Sequence, residues 1–367
     1  MNIVCDKTKL TEAVSVVSRA VSGKSTIPAL EGILLKATEN KLILSGYDLE
    51  MGITTSIDAV VKQPGELVLS ARLFGDMVRR MPSDDVTILS DENLVTQIIG
   101  GAAEYTIIGL NAQEYPELPS LSETVSVSLS QSMLKSMINQ TLFAISVSDA
   151  KPILTGSLFE VSENEITVVS VDGYRMALRR EKVKAGQSIK FVVPGKALHE
   201  IAKLLSDSEE AVTLMVSRKH IIVNIGGYAV ISRLLEGDFL DYRSAIPSDD
   251  KMAVTVNVRE FIQSIERTSL LISDRLKSPL RLKFEGSLIK LSCSTTMGKA
   301  YDEFTASGIT DSMEIGFNSK YLLDALRASE CDTVKLLMSG PRAPVKVVPL
   351  ESDDFLFLVL PVRLKSE

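Results

Sequence analysis

Apolar residues three and four positions apart mark three short segments of the chain: SARLFGDMVRRM (70–81), PGKALHEIAKLL (194–205) and NSKYLLDALRAS (318–329). Phe74, Met77 and Val78 of the first are matched by Leu198, Ile201 and Ala202 in the second and by Leu322, Ala325 and Leu326 in the third. That interval predicts an amphipathic helix in each. The three align without gaps at a step of 124 residues, and each follows a short β-rich run, GELVLS, IKFVVP or MEIGFN.

A second set of helices is predicted by Leu10, Ala13, Val14, Val17 and Val21, by Leu134, Met137, Ile138, Leu142 and Ile145, and by Phe261, Ile262, Ile265 and Ile272. Each ends at a serine, Ser22, Ser146 or Ser273, with a proline six residues later at Pro28, Pro152 or Pro279. The runs after these prolines, GILLKATENKLILSGYD, GSLFEVSENEITVVSVDG and LRLKFEGSLIKLSCST, read as β-meanders. The unit of helix, strands, helix and strands therefore occurs three times, which is an α+β domain in triplicate. Proline, aspartate and serine cluster in LNAQEYPELPSLSET (110–124) and LEGDFLDYRSAIPSDDK (235–251), placing the domains at 1–122, 123–247 and 248–367. A period this long marks whole-domain duplication rather than a solenoid.

Composition narrows the class. With 367 residues, 45% hydrophobic and 24% charged, the chain is expected to fold throughout and to exceed one core. No run approaches the roughly 18–20 apolar residues of a membrane helix, and the N-terminus lacks the apolar core of a signal peptide. Cys5, Cys293 and Cys331 are too far apart for a CxxC metal site or a disulfide framework, so a reducing cytoplasm is expected. A net charge of -7 argues against a protein that coats nucleic acid, so any DNA contact must be local.

Catalytic chemistry is thin. The chain has two histidines, His199 and His220, and His199 stands where the other repeats carry Gly75 and Leu323. No phosphate loop, GxGxxG after a strand, GxSxG elbow or HExxH helix occurs. Asp48 in GYDLE and Asp172 in VDGYR read as turn residues. An enzyme acting on nucleotides would need Asp48, Asp172 and Asp241 to converge on a metal. The sequence favours a non-catalytic protein with no catalytic residues, no metal and no cofactor.

The repeated helices carry a basic residue at Arg72, Lys196 and Lys320, an acid at Asp76, Glu200 and Asp324, and a second basic residue at Arg79, Lys203 and Arg327. Seven residues apart, the two cations share a face, with the acid between them. One such helix is an ordinary solvated surface. Three equivalent ones can line a common surface for backbone phosphates. Lys7, Lys9, Arg19, Lys24, Lys135, Arg259 and Arg267 extend it. The tail FLFLVLPVRLKSE is apolar up to Arg363, and Pro361 cannot continue a central strand, so its end is expected to line a groove.

Six ordered motifs, TIPALEGILL (26–35), SGYDLEMGI (45–53), VSVDGYRMAL (169–178), GDFLDYRSAIP (237–247), MEIGFNSKYLLDAL (313–326) and LVLPVRL (358–364), resemble the bacterial DNA polymerase III β sliding clamp family from end to end. The resemblance implies three clamp domains per chain with helices inside and antiparallel sheets outside, and a head-to-tail homodimer closing a six-domain ring around duplex DNA. It implies a processivity factor whose partners are the polymerase III α subunit, the clamp loader and repair polymerases, bound through short linear motifs. The implied peptide groove is Leu154, Val171, Gly173, Tyr174, Arg175, Met176, Leu240, Val359, Leu360, Pro361, Val362 and Arg363. The implied DNA-facing set is Arg19, Lys24, Arg72, Arg79, Lys135, Lys196, Lys203, Lys320 and Arg327.

By the same resemblance Tyr105 and Ile107 meet Leu271 and Ile272 of a second chain. Glu104 replaces a residue often basic in the family and Lys299 lies in a segment often acidic, so the pair is expected to be charge-swapped across that interface. Leu240 and Ser244 stand where proline and arginine are common, and Lys365, Ser366 and Glu367 extend past the usual terminal leucine. An acidic scaffold that binds peptides without encircling DNA is the competing reading.

Overall fold

A computed structural model describes residues 1–273 and 278–364; the extension Lys365–Glu367 lies outside the described residues. Among the described residues six α-helices are formed: α1 (Lys7–Val17), α2 (Ala71–Arg80), α3 (Gln131–Leu142), α4 (Gly195–Leu204), α5 (Val258–Thr268) and α6 (Ser319–Ala328). One strand, a helix, four strands, a helix and three strands follow one another, and this order occurs three times.

Polar residues at the ends of the preceding strands turn the chain into the helices. Asp6, Ser70, Asn257 and Asn318 accept hydrogen bonds from the backbone N–H groups of Lys9, Leu73, Glu260 and Lys320, satisfying donors that the first helical turn leaves open. The helices α1, α3 and α5 end before their apolar periodicity does. Ser18, Thr141 and Thr268 hydroxyls donate back to carbonyls four residues earlier (Val14, Met137 and Ser264), competing with the backbone at the helix end. Val21, Ile145 and Ile272 therefore lie beyond the helices rather than in them. The repeated serine closes a loop instead. Ser22 N–H donates to Leu30 O and Ser146 N–H to Leu154 O, fastening equivalent loops around Pro28 and Pro152.

The chain packs as two compact units. Unit 1, Met1–Gln131 with Lys203–Leu234, holds an antiparallel sheet running from the edge strand Ala103–Ile108 through Asn2–Asp6 and Met51–Gln63 to Tyr228–Arg233 and the edge strand Val125–Ser130. The 13-residue strand Met51–Gln63 is its junction, pairing with Lys41–Tyr47 and Tyr228–Arg233 near its start and with Asn2–Asp6 near its end. Helix α1 lies so close to this sheet that a Cβ on Gly46 would sit 2.3 Å from Val17 O. Only glycine fits there.

Unit 2, Ser132–Ala202 with Leu235–Glu367, has an eight-stranded antiparallel sheet in which Arg175–Lys182 pairs with Phe355–Val359. It also has a four-stranded sheet ending at Gly298–Thr305 and Met313–Phe317. Phe261, Ile265, Phe317, Leu326 and Phe357 are fully buried in its main core. A smaller cluster of Leu158, Val169, Met176, Tyr242 and Leu358 lies beneath the segment that carries Phe239 and Ile246. The middle repeat thus divides its strands between the two units.

Glu160 fastens the 239–246 segment to the large sheet. Its carboxylate takes Arg243 at 2.5 Å, the Tyr242 hydroxyl at 2.6 Å and Lys190 at 2.6 Å. Burial pushes this carboxyl up, but hydrogen bonds from Arg243, Lys190 and Tyr242 outweigh burial and bring its pKa down to about 2. A depressed carboxylate contributes stability that is present above its ordinary value of 4.5 and is lost as pH falls toward about 2. Glu160→Gln is therefore expected to flatten the fall in urea midpoint across that window. A mutant curve parallel to that of the parent would assign the acid sensitivity to other carboxylates.

Candidate functional site

The pairing of Arg175–Lys182 with Phe355–Val359 sets Arg175 opposite Val359 and Met176 opposite Leu358. Beyond the ladder the tail stays attached at alternate residues: Leu360 N–H donates to Tyr174 O at 2.9 Å and Val362 N–H to Gly316 O at 2.8 Å. Pro361 falls between these two donors, where its missing N–H costs nothing. Four large apolar side chains are left open on this surface region of unit 2, Tyr174 at 62% exposure, Val362 at 41%, Leu360 at 38% and Leu240 at 37%. Leu154, Val171 and Met176 turn inward, and Val359 is part of the main core, so these four expected groove residues support the face rather than present themselves on it.

The turn before Arg175 is set by Asp172, whose Oδ1 accepts from Tyr174 N–H (2.8 Å) and Arg175 N–H (3.0 Å), with Gly173 at φ +93°. Arg175 itself is buried. Its Nε donates to Asp172 Oδ2 at 2.9 Å and its Nη1 to Asp324 Oδ2 at 2.5 Å, while its guanidinium carbon lies 4.5 Å from the Tyr321 ring centroid. Tyr174 stacks on Tyr321 at 6.0 Å. The motif likeness places Arg175 in the groove lining; in the structure its charge is paired with two carboxylates and its guanidinium lies against Tyr321, the ring on which Tyr174 stacks. Tyr321 and Asp324, both within the motif 313–326, join the site although neither is among the expected groove residues. The available signal is Tyr321 itself, an aromatic where the other repeats carry Leu73 and Ala197.

Of the nine expected DNA-facing cations, Lys135 is half-buried and the other eight are exposed. Arg19, Arg79 and Lys203 line one concavity of unit 1, about 780 Å³, together with Lys7, Glu12 and Tyr228. The shared charge pattern of the helices does not give a shared pairing. On α2, Asp76 bridges Arg80 at 2.9 Å and Arg79 at 3.3 Å, and the Arg80 guanidinium leads in holding its carboxyl below the usual range. On α6, Asp324 turns to Arg175 and Arg327 bridges Glu266 at 2.6 Å.

Two sheet edges carry the residues expected at a chain–chain contact. Ala103–Ile108 ends the sheet of unit 1 with Tyr105 and Ile107 half-buried on one side and Glu104 exposed on the other, accepting from Gln97 Nε2 at 3.1 Å. In unit 2, Gly298–Thr305 ends the four-stranded sheet and carries exposed Lys299 and Tyr301. Leu271 and Ile272 are half-buried after α5, beside Leu270 at 83% exposure.

Family profiles for the N-terminal, central and C-terminal domains of the DNA polymerase III beta subunit match residues 1–119, 128–241 and 243–363. The beta sliding clamp of Bacillus subtilis is 34% identical over 99% of this chain and 100% of its own length. The chain belongs to the β sliding clamp family. The solved Bacillus subtilis DNA polymerase sliding clamp superposes with a TM-score of 0.96 at 33% identity, covering 100% of both chains. A Pseudomonas aeruginosa sliding clamp bound to griselimycin superposes at 0.93 with 26% identity, covering 99% of this chain and 100% of that one. The function carried by these full-length likenesses is that of a DNA sliding clamp acting with the replicative polymerase.

Two of the three carboxylates weighed for catalysis, Asp48 and Asp172, hold turns. Asp48 Oδ1 accepts from Glu50 N–H (3.0 Å) and Met51 N–H (2.7 Å), the same turn as that of Asp172. Asp241 precedes a 3-10 turn without capping it through its side chain, and its backbone carbonyl accepts from Ser244 Oγ at 2.7 Å. Among the described residues no group of three or more His, Cys, Asp or Glu side chains is placed to hold a metal ion. His199 Nδ1 lies 2.8 Å from Gly195 O, one helical turn earlier.

Arg175→Ala removes the cation shared by Asp172 and Asp324, and is expected to cost about 3–5 kcal/mol of stability in urea unfolding. Tyr174→Ala, at an exposed side chain, is expected to change stability by less than about 1 kcal/mol. Similar losses in the two variants would remove the distinction between brace and surface.

Proposed function

We propose that two copies of this chain close head to tail into a six-domain ring around duplex DNA, with the repeated basic helices toward the phosphates and the sheets outward. The single observation that carries this reading is the triplicated element order with cations at equivalent helical positions (Arg72, Lys196, Lys320; Arg79, Lys203, Arg327) in a chain of net charge -7. Arg19, Lys24 and Lys135 extend the inner surface. Contacts of this kind are sequence-blind and screened by salt, so the chain slides while closure of the ring keeps it on the DNA. The protein is non-catalytic and works at the nucleoid in the cytoplasm. Its three domains divide near residues 122 and 248.

Closure pairs the edge at Tyr105 and Ile107 with Leu271 and Ile272 of the next chain, and sets Glu104 opposite Lys299. A heterologous contact of this sort makes a ring only when its rotation closes. The face of Tyr174, Leu240, Leu360 and Val362, supported by Leu154, Val171, Met176 and Val359 and continued by Gly173, Pro361 and Arg363, takes short linear motifs. The α subunit, the clamp loader and repair polymerases dock there in turn. Affinity comes from a few anchored apolar side chains.

Light scattering over a dilution series is expected to find two 40.0 kDa chains together; a monomer at every concentration would leave the ring without its second half. Glu104→Lys and Lys299→Glu are each expected to weaken the dimer about fivefold, on the scale of an exposed ion pair, with the double mutant restored. No rescue in the double mutant rejects that contact. After loading by a clamp loader, the protein is expected to stay on circular DNA and run off linear DNA. Equal loss from both, with peptides still bound, would favour the acidic scaffold.

A further inference from the structure

The concavity of unit 1 that takes in Arg19, Arg79 and Lys203 is lined by one acid, Glu12. Helix α1 buries Leu10, Ala13, Val14 and Val17 on its inner side, and Glu12 lies exposed on the opposite stripe with Thr8 and Ser15. Tyr228 closes in from the sheet. Burial first and the Glu12 charge second raise the pKa of its hydroxyl, with Arg19 opposing, so both charges act at one spot.

The cations of the concavity are already engaged. Lys7 Nζ donates to Met81 O at 2.6 Å, Arg79 bridges Asp76 at 3.3 Å, and Arg19 and Lys203 also have partners. Glu12 does not: among the described residues its carboxylate has no hydrogen bond and no ion pair. A bare carboxylate thus shares the concavity with the cations that a phosphate would approach. The other repeats show that the position does not need a charge. With Leu10 matched to Leu134 and Phe261, Glu12 corresponds to Ser136 and Gln263. Both are polar and neutral, which suffices for a solvated helix face.

We infer that Glu12 is a release residue: its charge repels DNA phosphates at this concavity and keeps them from lodging there, so the ring moves along the duplex. The inference rests on the ring reading above and assigns a role opposite to that of the basic residues. The neighbouring cations draw the backbone in, and Glu12 limits how long any one phosphate stays. Like charges at close range cost about as much as an exposed ion pair gains, and salt screens both.

Tracking of the dye-labelled full chain, loaded by a clamp loader onto stretched duplex DNA blocked at both ends, tests this. Glu12→Gln, which installs the residue of the third repeat, is expected to slow diffusion along the duplex about two- to threefold at about 0.05 M salt, and Glu12→Lys about five- to tenfold. Both effects should fade at about 0.5 M salt. Glu92→Gln removes an equal charge from an exposed turn of unit 1 outside the concavity, and is expected to diffuse as the wild type does. Unchanged diffusion in both Glu12 variants overturns the inference while leaving the ring intact. Equal slowing by Glu92→Gln also overturns it, since net charge rather than this concavity would then set the rate. Loss of the wild type from end-blocked DNA as fast as from open-ended DNA overturns the ring reading, and the release role with it.

Discussion

Tyr228–Arg233 of the middle repeat is hydrogen-bonded to Met51–Gln63 of the first, and Arg175–Lys182 of the middle repeat to Phe355–Val359 of the third. These two antiparallel ladders cross the repeat boundaries, and the rest of the molecule hangs on them. Without the first, the unit 1 sheet would end at an open edge along Met51–Thr55. Without the second, the C-terminal strand would lose a partner and the docking face would lose one of its sides. Buried backbone donors and acceptors have to be paired somewhere, and here their partners lie in the neighbouring repeat.

The second ladder also builds chemistry. It delivers Tyr174 to Leu360 and puts Arg175 within reach of Asp324 on α6, so three separate stretches of sequence meet around one buried cation. A lone arginine at that depth would be costly. Asp172 and Asp324 together neutralise it, and the rings of Tyr321 and Phe143 cover its flat faces.

Periodicity made the six helices, the strands before them and the triplication legible, because each depends on local spacing of apolar residues. Helix ends were less legible: Val21, Ile145 and Ile272 continue the apolar interval, but hydroxyl groups at Ser18, Thr141 and Thr268 end the helix first. Side-chain pairing was least legible. Asp76 and Asp324 occupy equivalent positions, yet one stays on its own helix and the other crosses to a strand 149 residues away in sequence. What separates them is the nearest cation in space, Arg80 in one case and Arg175 in the other, and spacing along the chain does not encode that. The partition of the groove into an outer face and an inward support likewise depends on strand register, which motif likeness alone does not fix.

Sharing sheets between repeats has a consequence for how such a chain drifts over evolutionary time. A strand lengthened by one residue would turn its whole buried row outward, and here that row also belongs to the next repeat. Side-chain identity is free to wander so long as apolar volume is kept, as Phe74, Leu198 and Leu322 do at one position. Length is not. The ancestral copies can thus lose nearly all likeness in their letters while keeping the pairing of their shared strands, and length changes fall elsewhere: Ser22 and Ser146 are 124 residues apart, Ser146 and Ser273 127.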